Sequence, residues 1–276
     1  MKAKLYILTY NNEAHLNDGL TSLFAGDLTQ HELEVFIVNN HTNFHLHDEF
    51  VGRVTVLHNV MQPDFGTGHT ARNWNQSLML GFKDLDNPDC DLVILAQDDC
   101  HYHYNWLNLL YTVHFELGYH FFCVGAGDML HSYTPTAVKK VGMWDERYGN
   151  ICFMEHDYFI RAAMYLGDTA SVNDDGHMAG LYTYNPISFA REIASNPPRN
   201  ADKANLGPIR GKMDNPFREL FKSKWGNYSE FTPASQFVNN PRKPGIPGYV
   251  LYPYFEKGIE NLNEMGFNLG TGWGRP

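Results

Sequence analysis

Leu92-Val93-Ile94-Leu95-Ala96-Gln97-Asp98-Asp99-Cys100 is an apolar run that ends abruptly in two adjacent carboxylates. Five consecutive apolar residues bounded by polar ones read as a strand buried on both faces, as strands inside a parallel sheet are. Open α/β sheets hold their ligands outside the carboxyl ends of the strands, which is where Asp98 and Asp99 would stand. Neighbouring carboxylates repel each other unless a cation or a proton relieves them, and oxygen ligands suit Mg²⁺ or Mn²⁺. An ordinary acidic turn after a strand is the alternative at this point.

Working outward, residues 4–9 form another apolar run, and Leu16, Leu20, Leu23 and Phe24 follow at helical spacing. Residues 33–38 and 54–57 supply two more strands, the first ending in Asn39, Asn40, His41 and Thr42. Ala71, Trp74, Leu78, Phe82 and Leu85 mark one face of a second helix, which a turn at Asn87-Pro88 joins to the strand at 92. The order β-α-β-β-α-β predicts an α/β fold whose mainly parallel sheet is flanked by helices, with polar strand ends along one edge. Beyond it, Trp106, Leu107, Leu110 and Val113 predict a helix, residues 121–124 a strand and residues 154–166 a further helix.

From Pro186 onward the pattern changes, because 11 of the 14 prolines lie there and periodicity largely disappears until 255–265. The chain is therefore expected to divide into a domain at 1–190 and an irregular carboxyl-terminal extension at 191–276. Trp225, Phe231, Phe237, Tyr249, Tyr252 and Tyr254 make that extension too apolar for a solvated linker, so it is expected to wrap the domain.

The formal net charge of −10 disfavours nucleic acid as a partner, since a phosphate backbone demands a basic face. Residues 1–190 hold 9 Lys and Arg against 23 Asp and Glu, whereas 191–276 hold 12 against 8. An acidic body with a mildly basic tail suits a divalent cation held beside an anionic ligand. Four scattered cysteines without a C-x-x-C pair argue against a zinc ribbon or a disulfide framework and predict reduced, buried thiols. No stretch approaches the roughly 20 apolar residues of a membrane span, and the run from Met1 to Tyr10 is too short for a signal peptide. The expectation is a cytoplasmic protein, or one peripheral to a membrane or assembly site, without a transmembrane segment.

Taken in order, the local motifs resemble the GT-A glycosyltransferases, specifically the inverting family 2, over about residues 3–185. Thr9-Tyr10-Asn11 and Val38-Asn39-Asn40-His41-Thr42 are similar to two stretches that touch the nucleotide in that family, with Asn39 where an acid commonly meets the base. Asp64-Phe65-Gly66 followed by Ala71-Arg72-Asn73 resembles its Asn-x-Gly and Ala-Arg-Asn, placing Gly66 and Arg72 near the diphosphate. Gln97-Asp98-Asp99 stands at its D-x-D position, which implies Asp99 as the metal ligand, with Asp98 in support and Gln97 departing from the first acid.

Val141-Gly142-Met143-Trp144-Asp145-Glu146-Arg147, with Glu155-His156-Asp157-Tyr158-Phe159-Ile160-Arg161, is the most specific match. It resembles the family's Val-Gly-Gly-Phe-Asp-Glu and its catalytic Glu-Asp-x-Asp-Leu-x-x-Arg, with Met154 in place of one acid. The resemblance implies Glu155 as general base, Asp157 beside it in the catalytic set and Arg161 as the ion-pair partner of Asp157. An acidic pair at a helix amino terminus is the plainer reading of those two carboxylates. His177 stands where some members complete the metal site, and Lys224-Trp225-Gly226 is similar to a tail motif of the family.

The implied activity is transfer of a hexose or deoxyhexose from a nucleotide-sugar donor to a carbohydrate or glycoconjugate acceptor, with Mn²⁺ or Mg²⁺ as cofactor. Arg210 and Lys212 are the tail's candidates for the diphosphate, with a solvated surface as the plainer reading, and Trp144 and Tyr148 are candidate sugar platforms whose plainer role is packing. A non-catalytic carbohydrate-binding protein that kept the fold, and a sugar nucleotidyltransferase, are the alternatives.

Overall fold

The computed structural model describes residues 1–40, 45–59, 70–124, 129–148, 151–166, 170–172, 189, 192–195, 207–226, 263, 266 and 270. Its centre is a seven-stranded sheet in the order β3-β2-β1-β4-β7-β6-β8. The strands are β1 (Lys2–Thr9), β2 (Glu32–Asn39), β3 (Thr55–His58), β4 (Leu92–Gln97), β6 (Phe121–Val124), β7 (Leu130–Tyr133) and β8 (Ala170–Val172). Every pairing is parallel except those of β7, which runs antiparallel between β4 and β6. A short ribbon, β5 (His101–Tyr102) with β9 (Ala194–Ser195), lies apart from that sheet.

Period-two alternation sends each strand's side chains into two cores. Tyr6, Val93 and Leu95 join α2 (Thr70–Phe82), α4 (Pro135–Val141), α5 (Ile151–Leu166) and α6 (Gly207–Trp225) on one face. Leu5, Ile7, Leu92, Ile94 and Ala96 meet α1 (Glu13–Ala25) and α3 (Trp106–Tyr111) on the other. A π-helical turn, Thr112–Glu116, prolongs α3.

The parallel left half and its two helices match the expectation from sequence. Strand β7 was not predicted, because His131 and Ser132 break its apolar pattern even though both are buried there. Helix α6 lies in the stretch expected to be irregular. It carries Pro208 in its first turn, where a missing N–H is no loss, and Pro216 inside. Its last turn closes through Gly226, whose φ of 84° and N–H bond to the Lys222 carbonyl suit a residue without a Cβ.

Helix α1 approaches the turn after β4 closely, since a Cβ on Gly19 would sit 2.8 Å from the Cys100 carbonyl oxygen. Cys90, Cys100 and Cys123 are buried, as expected. Among the described residues no helix is long and apolar enough to cross a membrane.

Candidate functional site

Parallel register brings the carboxyl ends of four strands into line: Thr9 lies beside Asn39, Asn39 beside His58, and Leu8 beside Gln97. The polar residues that end each strand are therefore neighbours along one edge. Asp98 is tied to this row, its Oδ2 accepting from the Thr9 hydroxyl at 2.8 Å and its Oδ1 from the Asn12 amide at 2.9 Å. Asn12 occupies the N-cap position of α1 without a side-chain capping bond, which leaves its amide for Asp98. The buried Asn39 amide lies 3.3 Å from His58 Nδ1. Beyond it, the Asn59 amide donates to Asn73 at 2.7 Å and the Asn73 amide to Asn40 at 3.1 Å, linking α2 to the same edge.

Asp98 and Asp99 divide the surroundings of the turn between them. Asp98 points beneath the β1–α1 loop, whereas Asp99 lines an open cleft of about 650 Å³ with His15, Asp18, His101 and Tyr104. Among the described residues no Lys or Arg forms an ion pair with Asp98. Burial pushes its carboxyl up to about 7, the Asn12 and Thr9 hydrogen bonds pulling against this and the neighbouring Asp99 charge adding to it. A carboxylate pair held by neutral donors at a strand end has the chemistry to take a divalent cation. Among the described residues no group of three or more His, Cys, Asp and Glu forms a ready-made metal cluster.

A second group of charges lies across α5, α6 and the loop after α4. Helix α5 starts at Ile151, so Glu155 and Asp157 fall in its second turn and not at its amino terminus. Glu155 is 3% exposed and Asp157 fully buried. Asp157 Oδ2 accepts from Arg161 Nε at 3.0 Å, as expected for that pair, while Oδ1 takes the Lys224 ammonium and the Trp225 indole N–H at 2.8 Å. Burial alone would raise the Asp157 carboxyl, but the Lys224 and Arg161 charges and the hydrogen bonds hold it below the ordinary carboxylate range. Lys224 also reaches Asp145 at 3.2 Å, whose other donors come from Arg147.

Asp157 thus has both oxygens committed to protein donors, and its surroundings suit a structural anchor better than the catalytic set expected for it. Trp144 and Tyr148 are also corrected: both are buried, Trp144 stacking on Tyr158 at 4.3 Å, so neither offers a face to a sugar.

Arg72, expected near a diphosphate, is one-third exposed and lies 3.5 Å from Glu146. Asn75, one turn along α2, clamps the Trp144 backbone through both its N–H and its C=O, at 2.8 and 2.9 Å, and donates to Glu146 at 2.9 Å. Gln97 anchors its end of β4 through its backbone N–H to the Met129 carbonyl. Asn11 is exposed with a φ of 51°, which asparagine tolerates, and Tyr10 beside it is half-buried. Gly66 and His177 lie outside the described residues. Arg210 and Lys212 fall in the first turns of α6, with side chains outside the described ones. Asn12, Asn75 and His58 were missed; a polar residue closing β3 was the signal available for His58 and one opening α1 for Asn12, whereas nothing local marked Asn75 inside α2.

No family model and no curated protein matches the sequence. Among solved structures the chain is similar to S. aureus TarS 1–349 in complex with UDP-GlcNAc, with a TM-score of 0.55 and 12% identity over 97% of this chain and 78% of that one. It is also similar to the mannosyltransferase PcManGT from Pyrobaculum calidifontis in complex with GDP-Man and Mn²⁺, with a TM-score of 0.50 and 9% identity over 95% and 75%. The chain spans 58% of a further TarS 1–349 structure and 41% of another TarS chain. These likenesses establish the GT-A fold expected from the sequence.

Proposed function

We propose that the chain is a metal-dependent inverting glycosyltransferase, moving a sugar from a nucleoside-diphosphate sugar to a hydroxyl of a carbohydrate or glycoconjugate. The observation that carries this is the Asp98-Asp99 pair at the carboxyl end of β4, with Asp98 tied to Thr9 and Asn12 beneath the first loop of a GT-A sheet. Solved structures of the fold, at low identity, hold UDP-GlcNAc or GDP-Man with Mn²⁺.

In this reading Asp99, with Asp98 in support and His177 from outside the described residues, holds Mn²⁺ or Mg²⁺. The cation supplies charge stabilisation for the departing diphosphate. Thr9, Tyr10, Asn11 and Asn39 face the nucleoside, and an amide at Asn39 can both donate to and accept from a base. Arg72 serves the diphosphate, with Gly66, Arg210 and Lys212 as the further donor-binding candidates. Glu155 accepts the proton of the acceptor hydroxyl as its oxygen bonds to the anomeric carbon. The bond from that carbon to the diphosphate oxygen breaks with its electron pair, and the centre inverts. The residues work in the cytoplasm or at an assembly surface.

Release of nucleoside diphosphate from UDP-GlcNAc or GDP-mannose with Mn²⁺ tests the reading. Glu155→Gln is expected to lower turnover by ~10²- to 10⁴-fold while retaining donor binding. Loss of donor binding in that variant would remove the assignment of Glu155. The burial of Glu155 favours a second reading, a carbohydrate-binding protein that kept the fold. Absence of any turnover with donor still bound selects it.

A further inference from the structure

We infer that Lys224 and Trp225 make α6 a clamp that sets the rotation of α5 and so positions Glu155. The inference rests on the assignment of Glu155 above, but the clamp is built from contacts independent of that role. Asp157, two residues after Glu155, takes both Lys224 and the Trp225 indole on one oxygen, so consecutive residues of α6 converge on a single atom of α5. Phe221, one turn earlier, packs against the rings of Phe153 and His156, at 5.8 and 5.5 Å. Residues two before, one after and two after Glu155 are therefore all held by α6. Arg161 closes the other end, bridging Asp157 and the Val141 carbonyl at 2.8 Å. Lys224 also spans to Asp145, in the loop that Asn75 clamps from α2.

Apolar contacts alone would allow α5 to roll by a fraction of a turn. Buried directional bonds do not, because any other rotation leaves charges desolvated and unpaired. The contacts of Phe221, Lys224 and Trp225 fall on α5 and on the loop after α4, so the clamp bears on the helix that carries Glu155.

Trp225→Phe keeps the ring packing and deletes one hydrogen bond, and Lys224→Met deletes the bridging charge. Hydrogen exchange on the two variants reads the clamp without any assay of activity. In Trp225→Phe, amides of residues 153–158 are expected to exchange at least about tenfold faster with those of β1 and β4 unchanged, and in Lys224→Met the rise in 153–158 is expected to exceed that in β1 and β4. Unchanged exchange in α5, or an equal rise throughout the chain, would overturn the clamp. Turnover of the two nucleotide sugars of the hydrolysis assay reads the consequence for Glu155. There kcat is expected to fall about tenfold or more while KM for the donor stays within about twofold. Unaltered kcat alongside faster α5 exchange would overturn the positioning role. If the wild-type chain hydrolyses neither sugar, the assignment of Glu155 fails and the exchange result alone decides the clamp.

Discussion

Asp98 and Asp157 are both carboxylates withdrawn from bulk water, yet their surroundings are opposite. Asp98 has two neutral donors, another carboxylate beside it and a carboxyl pushed up to about 7. Asp157 has a lysine, an arginine and an indole N–H, and a carboxyl held below the ordinary range. Among the described residues Asp98 has no Lys or Arg partner, whereas Asp157 has two. A polypeptide that neutralises its buried carboxylates in one place and leaves them raised in another fits the proposal that the second place takes a cation from outside. The difference separates two kinds of withdrawn carboxylate that look alike in the sequence.

The sharpest way to break this comparison is to neutralise one residue in each region. Lys224→Met leaves Asp145 and Asp157 facing each other with one bridging charge gone, and is expected to cost about 3–5 kcal/mol in urea unfolding. Asp98→Asn is expected to leave the metal-free chain as stable as before or more stable at pH 7, because it removes a carboxylate that folding desolvates without a counter-charge. Equal losses in both variants would erase the distinction.

A smaller effect follows from pH. A carboxyl whose folded value lies above its unfolded value holds an extra proton in the folded state between the two. With chelator present, Asp98 should therefore stabilise the chain below its unfolded value near 3.8 and lose that contribution as pH rises through about 7. Allowing for its partial exposure to solvent, the loss is on the order of 2 kcal/mol. Asp157 has the opposite sign, since its stabilisation is complete above the unfolded value and is lost as pH falls through the depressed folded one. Urea unfolding between pH 3 and pH 8 should show the alkaline-side decline disappear in Asp98→Asn while the acid-side decline remains. An unchanged profile would contradict the raised carboxyl.

The left half of the sheet was legible because parallel buried strands are continuous apolar runs, as at Leu92 to Ala96, and end in polar residues, as at Thr9 and Asn39. Strand β7 was not, because His131 and Ser132 are buried through tertiary partners that no local pattern encodes; His114 Nε2 meets the Ser132 hydroxyl at 2.7 Å. Helix α6 was hidden by its prolines, one of which sits harmlessly in the first turn. At the candidate site, motif spacing singled out Asp98, Asp99 and Glu155 for the proposed roles, but could not show that Asp157 meets Lys224 from 67 positions away along the chain. Asn12 was overlooked because an asparagine before a helix reads as a cap, and here its amide serves Asp98 instead.

Thermal unfolding with Mn²⁺ and uridine or guanosine diphosphate tests most directly whether the β4 edge was kept for a cation and its anionic ligand. At ligand about 100-fold above its Kd the wild-type chain should gain about 2.7 kcal/mol, seen only when metal and one nucleotide are present together. Asp99→Asn should lose most of that gain and keep its metal-free stability. A wild-type chain indifferent to both nucleotides, or an Asp99→Asn chain that gains as much as the wild type, would contradict the account.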